Sequence, residues 1–458
     1  MKRIFLSFVM LAAFGTAFAQ MTPEEKAALK AAEKEAKSQV TTGIKLRDEV
    51  LALYNANLAE NAKGEKANQE LITKNVEQIK TKSLEAHANL TKALKGGHVA
   101  EKQLFDVYKA LDDVSTQLLN PELNLAAQHE SFDTVTFAKA VDGVCEGCYG
   151  QIEFGNPKNE MQKPYLEQAQ KKMPNLLTYR GYLCFFYVEN KNLDGSIKAF
   201  DKYASFAKDY PKVANDPAVQ NPQTPASQFA FNIYYTAYNM KRYDVCEKYY
   251  QQALEYPDEN SHNFVLSSRP QIYLQQGDTA QWVNALEEMI VAAPESSNAE
   301  VATQNLLAYY GKKGGEAMGA FADKILAQTP DNKMANYGKG HSLFSQGKYE
   351  EALTYFKKTV EIDPDYVEGY NMSGMSLYRQ ASENYYKFID GKKFKNDAEV
   401  KAAEDKYVKN LYRDAVQYFE TCREKASDQP DMWAGPLQTI YKNLGEKEKA
   451  AELDVYMK

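Results

Sequence analysis

MANYGKGHSLFSQGKYEEALTYFKKTVEIDPDY, Met334–Tyr366, is the stretch whose reading decides the fold. It divides into two helix-length segments around Gly347, a residue that permits a tight interhelical turn. Gly340 in the first segment and Ala352 in the second lack bulk where the two helices would cross, so their backbones can approach. Tyr349 and Phe356 are placed to fill the space between the second helix and whatever follows it. Pro364 stops the second helix and redirects the chain.

Prolines repeat this punctuation. Pro174, Pro211, Pro257, Pro294, Pro330 and Pro364 recur at a spacing in the mid-thirties, except for one longer step from Pro211 to Pro257. Such a period is the mark of stacked helix pairs. The small and aromatic positions of Met334–Tyr366 resemble a tetratricopeptide repeat: Gly340, Gly347, Tyr349, Ala352, Phe356 and Pro364 match that family's pattern in order. Partial matches surround it. One keeps Tyr243, Tyr250, Ala253 and Pro257, with Cys246 at the small crossing position; another keeps Gly277 and Pro294 but sets Trp282 where a small residue is usual. Ser196, Phe200 and Pro211 belong to a third, and Trp433, Leu437, Tyr441, Gly445 and Ala450 to a last pair. The step from Pro364 to Pro430 is nearly two periods, so one helix pair there is lengthened. The three prolines of NDPAVQNPQTPA, Asn215–Ala226, predict an extended loop, which accounts for the longer step. The resemblance implies an all-α fold, an α-solenoid of stacked helix-turn-helix repeats over 163–458. Each pair there would bury its apolar face only against its neighbours.

The N-terminal third is read from periodicity. MKR, the apolar run IFLSFVMLAAFG and a small-x-small AFA before Gln20 predict a cleaved export signal over 1–19. The AFAQ ending resembles signal peptides of Bacteroidetes, and a periplasmic location is expected. An alanine-rich, loosely helical lead-in follows, then three helices between Ile44 and Leu119, within an N-terminal helical region over 20–120. In the middle helix Ile72, Val76, Ile79, Ser83, Ala86, Leu90 and Leu94 form one stripe. KGGH at Lys95–His98 should end that helix, and Pro121 the next. A connecting helix over 121–162 carries DGVCEGCYG, Asp142–Gly150.

That motif raises the question of redox or metal chemistry. Phe137, Ala140, Val141, Val144, Cys145 and Cys148 recur at steps of three and four, so both cysteines continue an apolar helical stripe. Gly143, Gly147 and Gly150 line up as if another helix packs close. Core packing, a Cys145–Cys148 disulfide and an active dithiol all remain open at this point. Zinc needs about four ligands, and no second C-x-x-C exists. The other three cysteines sit where small residues of repeat helices belong.

A formal charge of -7 offers no electrostatic case for nucleic acid. GKKGGEAMG, Gly311–Gly319, lacks the spacing of a phosphate loop and reads as an interhelical turn. No catalytic constellation, cofactor motif or metal set stands out, and a non-enzymatic role is expected. Family geometry would place Tyr337, His341 and Phe344 on the concave side, with Asn371, Met375, Tyr378 and Arg379 on the next first helix. The basic and Asn residues with which some family members clamp a C-terminal carboxylate do not stand at these positions. The expected function is an exported scaffold that binds a protein or peptide in this groove. Two alternatives are a glycan-binding component of a nutrient-uptake system, for which the 32 tyrosines would suit sugar stacking, and thiol–disulfide activity at Cys145 and Cys148.

Overall fold

The structure, a computed structural model, describes residues 21–128, 132–292, 294 and 296–457. The expected signal peptide lies outside the described residues. The chain divides into two compact units, Met1–Val265 and Leu266–Lys458. Among the described residues every regular element is helical.

The first unit contains α1 (Pro23–Asn61), α2 (Gln69–Gly96), α3 (Glu101–Ala127), α4 (Thr134–Phe154), α5 (Lys163–Glu189), α6 (Leu193–Ala204), α7 (Ala226–Asn239) and α8 (Tyr243–Leu254). The alanine-rich lead-in is not loose. It is the start of α1, opened by a reciprocal cap in which Thr22 Oγ1 accepts from the Glu25 N–H at 3.2 Å and Glu25 Oε2 accepts from the Thr22 N–H at 2.7 Å. Its small face is useful because α2 comes close: a Cβ on Gly43 would stand 2.6 Å from Leu90. The α2 stripe is buried at Ile79, Ser83, Ala86 and Leu90, but Val76 is exposed. Asn75 turns inward instead and donates to Asn57 Oδ1 at 2.7 Å. Gly97 ends α2 in the left-handed conformation, as KGGH predicts.

Pro121 does not end α3, which runs on to Ala127. An internal proline costs about 3 kcal/mol. Burial of Leu118 and Leu119, and a 3.1 Å ion pair from Lys80 to the buried Glu122, hold the helix past it. Pro174 likewise lies inside α5, between the buried Met173 and Leu176. The loop over 215–226 is extended except for one helical turn, Pro217–Gln220.

Helix α9 (Glu259–Gln276) carries the division point. The second unit continues with α10 (Thr279–Ala292), α11 (Ser297–Lys313), α12 (Gly315–Leu326), α13 (Lys333–Ser345), α14 (Tyr349–Ile362) and α15 (Val367–Phe388). Then come α16 (Asp397–Glu404), a π-helical turn (Asp405–Lys409), α17 (Asn410–Lys425), α18 (Ala434–Leu444) and α19 (Lys447–Glu452).

One turn chemistry joins most of the pairs; α11 and α12 instead meet at Gly314, where φ is +124°. At Gly347, φ is +76°, and the N–H of Lys348 reaches back to the Leu343 carbonyl at 3.0 Å. This left-handed residue, followed by a bond that spans the whole last turn, is a Schellman cap. The same bond recurs from Asp278 to Tyr273 and from Glu446 to Tyr441. In the first unit it recurs from Asn192 to Tyr187 and from Arg242 to Ala237, where the left-handed residues are Lys191 and Lys241.

The helix crossing also repeats. A Cβ on Gly340 would meet the Phe356 ring at 2.6 Å, and one on Gly374 would meet the Phe419 ring at 2.8 Å. Ala352 and Ala415, Phe356 and Phe419 are all fully buried. Gly374 follows Gly340 by one repeat period, whereas Phe419 follows Phe356 by nearly two. The difference is an added segment between α15 and α17, which holds α16 and the π-helical turn.

Candidate functional site

Helix α13 begins at Asn332, whose side chain accepts from the Ala335 N–H at 2.9 Å. Its inner side, Met334, Ala335, Gly338 and Leu343, is buried. Tyr337, His341 and Phe344 lie at the margin of that side and are half-buried. Tyr337 meets His341 edge-on at 4.6 Å between centroids, Tyr366 at 5.2 Å and Phe356 at 5.8 Å. His341 stands over Phe356 at 5.6 Å, and Phe344 meets Tyr349 at 5.0 Å. These edge-to-face pairs hold the first helix to the second and to the start of the next repeat.

Burial sets the electrostatics here. It lowers the pKa of His341 below the ordinary histidine value, so the ring is neutral at neutral pH. It raises the Tyr337 hydroxyl well above the tyrosine range, with Tyr366 contributing, and pushes Tyr366 up to about 12. Lys333 closes one end of the cluster. It pairs with Glu300 at 2.6 Å and Asp363 at 2.9 Å, and lies 5.2 Å from the Tyr366 ring centre.

On α15, Asn371, Met375 and Tyr378 are half-buried and Arg379 is exposed. Asn371, Met375 and Tyr378 follow Tyr337, His341 and Phe344, each by the same single repeat period. Met375 and Tyr378 pack on the core built from Leu377, Phe419 and Trp433, and Tyr378 meets Tyr412 at 5.9 Å. The sequence-predicted residues thus occupy equivalent turns of two successive first helices. The aromatic ones also support the packing. Sequence reasoning missed Tyr366 and Lys333, although the PDY at the end of the repeat was the signal for Tyr366.

Cys145 and Cys148 are free thiols, both fully buried, so the candidate disulfide is not formed. They face different charged neighbours: the Arg180 guanidinium lies near Cys145, and the Asp112 carboxylate near Cys148. Burial pushes the Cys145 thiol up to about 11 and that of Cys148 well above its ordinary value. Such thiols are poor nucleophiles, and the geometry gives thiol–disulfide activity no support.

What the motif does is pack. Cβ atoms on Gly143, Gly147 and Gly150 would lie 2.2 Å from Ser115 Oγ, 2.6 Å from the Asp112 backbone nitrogen and 2.1 Å from the Tyr108 ring. The glycines therefore let α4 lie directly against α3. Beneath them Asp112 accepts from Lys172 at 3.0 Å and from Gln151 at 3.2 Å. Arg180 donates to the Lys202 carbonyl at 2.9 Å and to the Tyr210 hydroxyl at 3.0 Å. Among the described residues no group of three or more His, Cys, Asp or Glu is placed to hold a metal ion, and no helix is long and apolar enough to cross a membrane.

Residues 334–366 match the tetratricopeptide repeat family. No curated protein matches the chain. Among solved structures it is similar to the C-terminal part of a TPR repeat-containing protein from Cytophaga hutchinsonii, at 14% identity and a TM-score of 0.33, covering 59% of this chain and 91% of that one. The TPR2AB domain of yeast Sti1, solved as a pHSP90 complex, is 11% identical with a TM-score of 0.20, covering 58% of this chain and 98% of that one. Human IFIT1, solved as a dimer with PPP-AAAA, is 15% identical with a TM-score of 0.28, covering 78% of this chain and 71% of that one.

Proposed function

We propose that the protein is an exported, non-enzymatic scaffold that binds a protein or peptide segment along its successive first helices. The observation that carries this reading is the repetition of one crossing geometry, Gly340 on Phe356 and Gly374 on Phe419. That repetition sets Tyr337, His341 and Phe344 in register with Asn371, Met375 and Tyr378, with Arg379 exposed beside them. Aromatic edges, an amide and a guanidinium on rigid helices are what a polypeptide ligand uses: apolar anchors with fixed polar contacts around them. Export, and the periplasm as destination, rest on the basic start, the apolar run and the AFA of residues 1–19.

The structure selects the informative substitutions. Tyr337 is built into the ring cluster, so changing it disturbs packing as well as any contact. Arg379 is exposed and tests contact alone. The experiment is affinity capture from an envelope extract of the producing cell with the wild-type chain, Arg379→Glu and Asn371→Ala. The expected result is a polypeptide held by the wild type and lost or weakened with both variants. Recovery of the same polypeptides in the same amounts with all three chains would refute the assignment of this face.

A further inference from the structure

The segment added between α15 and α17 lines a cavity together with the ends of α15 and α18. Its volume is about 400 Å³, within the range of small-ligand pockets. Its walls are Ser382, Tyr385 and Tyr386 from the end of α15, Glu404 and Lys409 at the π-helical turn, and Tyr412 from α17. Asn443, near the end of α18, closes it.

Three features make this more than a gap between helices. First, it is held open by fixed structure. Asn384 donates to the Tyr407 carbonyl at 2.9 Å, Tyr407 stacks on Phe388 at 4.4 Å, and Val408 is buried beneath. Those contacts pin a π-helical turn, an element that recurs at functional sites. Secondly, Tyr385 and Tyr386 are 41% and 70% exposed and stand perpendicular, 5.8 Å apart, so the core does not account for their rings. Thirdly, the charges cancel inside the wall. Glu404 and Lys409 pair at 3.1 Å. The carboxylate can accept further bonds and the ammonium can donate further ones, while Asn443 gives one amide N–H to the Thr439 carbonyl and keeps the other N–H and its oxygen.

A ligand for such a site is uncharged, carries hydroxyls that both donate and accept, and has one apolar face to lay on tyrosine. An anion would meet Glu404, and a cation would meet Lys409. An aliphatic or aromatic peptide anchor would cover the Glu404–Lys409 pair and Asn443 without using their remaining hydrogen-bonding capacity. We infer that the cavity between Tyr385, Tyr386, Tyr412 and Asn443 binds a neutral saccharide unit. This site adjoins the face of the proposed scaffold function, since Tyr412 in its wall meets Tyr378 at 5.9 Å, but it uses other residues and stands or falls without that face.

The test is calorimetric titration of the full chain with cellobiose, lactose and N,N′-diacetylchitobiose. Glucuronate and the dipeptide Gly-Tyr serve as charged and peptide comparators. Tyr386→Ala and Asn443→Ala, both at exposed positions, are titrated beside the wild type, with circular dichroism to confirm that each is folded. The expected result is binding of at least one neutral saccharide, weakened about tenfold by each variant, the scale of one lost aromatic or polar contact. The inference is overturned if no neutral saccharide binds, if glucuronate or Gly-Tyr binds more tightly than all of them, or if both variants bind as the wild type does.

Discussion

Two regions use glycine to bring helices together, and they do it differently. In the second unit Gly340 and Gly374 each receive a buried phenylalanine ring. In the first unit Gly143 and Gly147 receive the Ser115 hydroxyl and the backbone of Asp112, above a buried carboxylate held by Lys172 and Gln151. A ring can tilt; a backbone cannot retreat without moving its helix. The repeat crossing is thus a socket filled by a side chain, whereas the α3–α4 crossing sets main chain against main chain at Gly147, with the Ser115 and Tyr108 side chains against Gly143 and Gly150.

The largest expected effect comes from emptying a socket. Phe356→Ala and Phe419→Ala each remove a fully buried ring and should cost about 4 kcal/mol, read from urea unfolding of the full chain. Equal costs would show that the two crossings are energetic equivalents; a much smaller cost at Phe419 would show that the added segment compensates there. Filling the glycine positions comes next. Gly147→Ala should cost about 3 kcal/mol and Gly340→Ala about 2 kcal/mol, because only the second obstacle can move. A reversed order would break the distinction between backbone and ring.

Asp112→Asn follows. It keeps the shape but strips the charge from Lys172, and should cost about 2 kcal/mol. That is less than for a fully buried pair, because the Lys172 side chain is 29% exposed. The smallest effect is on pH dependence. Burial depresses the pKa of His341, so as pH falls below about 6.5 the unfolded chain takes up the proton first. The stability linked to this ring is complete above that value and is lost on acidification. His341→Gln should flatten the fall in unfolding midpoint between about pH 7.5 and about pH 5. An unchanged slope would assign the acid sensitivity elsewhere, with His87 the next candidate, since burial lowers it too.

The same contrast explains what could be read from the sequence. Gly340, Ala352 and Phe356 each do one job that recurs, so periodicity exposes them. The stripe from Phe137 to Cys148 was legible for the same reason, and every one of its apolar positions is buried. Gly143, Gly147 and Gly150 signalled a close neighbour but could not name it, because Ser115, Asp112 and Tyr108 belong to a different helix, α3, far back along the chain. The continuation of α3 through Pro121 was hidden because Lys80, on another helix, anchors Glu122. At Lys191 and Lys241 the repeat turn is present without its glycine, so a search for Gly passes over it. The α13–α15 face was nominated by repeat register, whereas the Tyr385–Tyr386 cavity depends on an insertion that has no periodic counterpart.

The central claim is that α13 and α15 present the contact surface for a polypeptide. Amide hydrogen exchange of the full chain, with and without the polypeptide captured by the wild type, tests it most directly. The account predicts slowed exchange on binding in 337–344 and 371–379, abolished by Arg379→Glu. Protection confined to the first unit, with α13 and α15 unchanged, would contradict it.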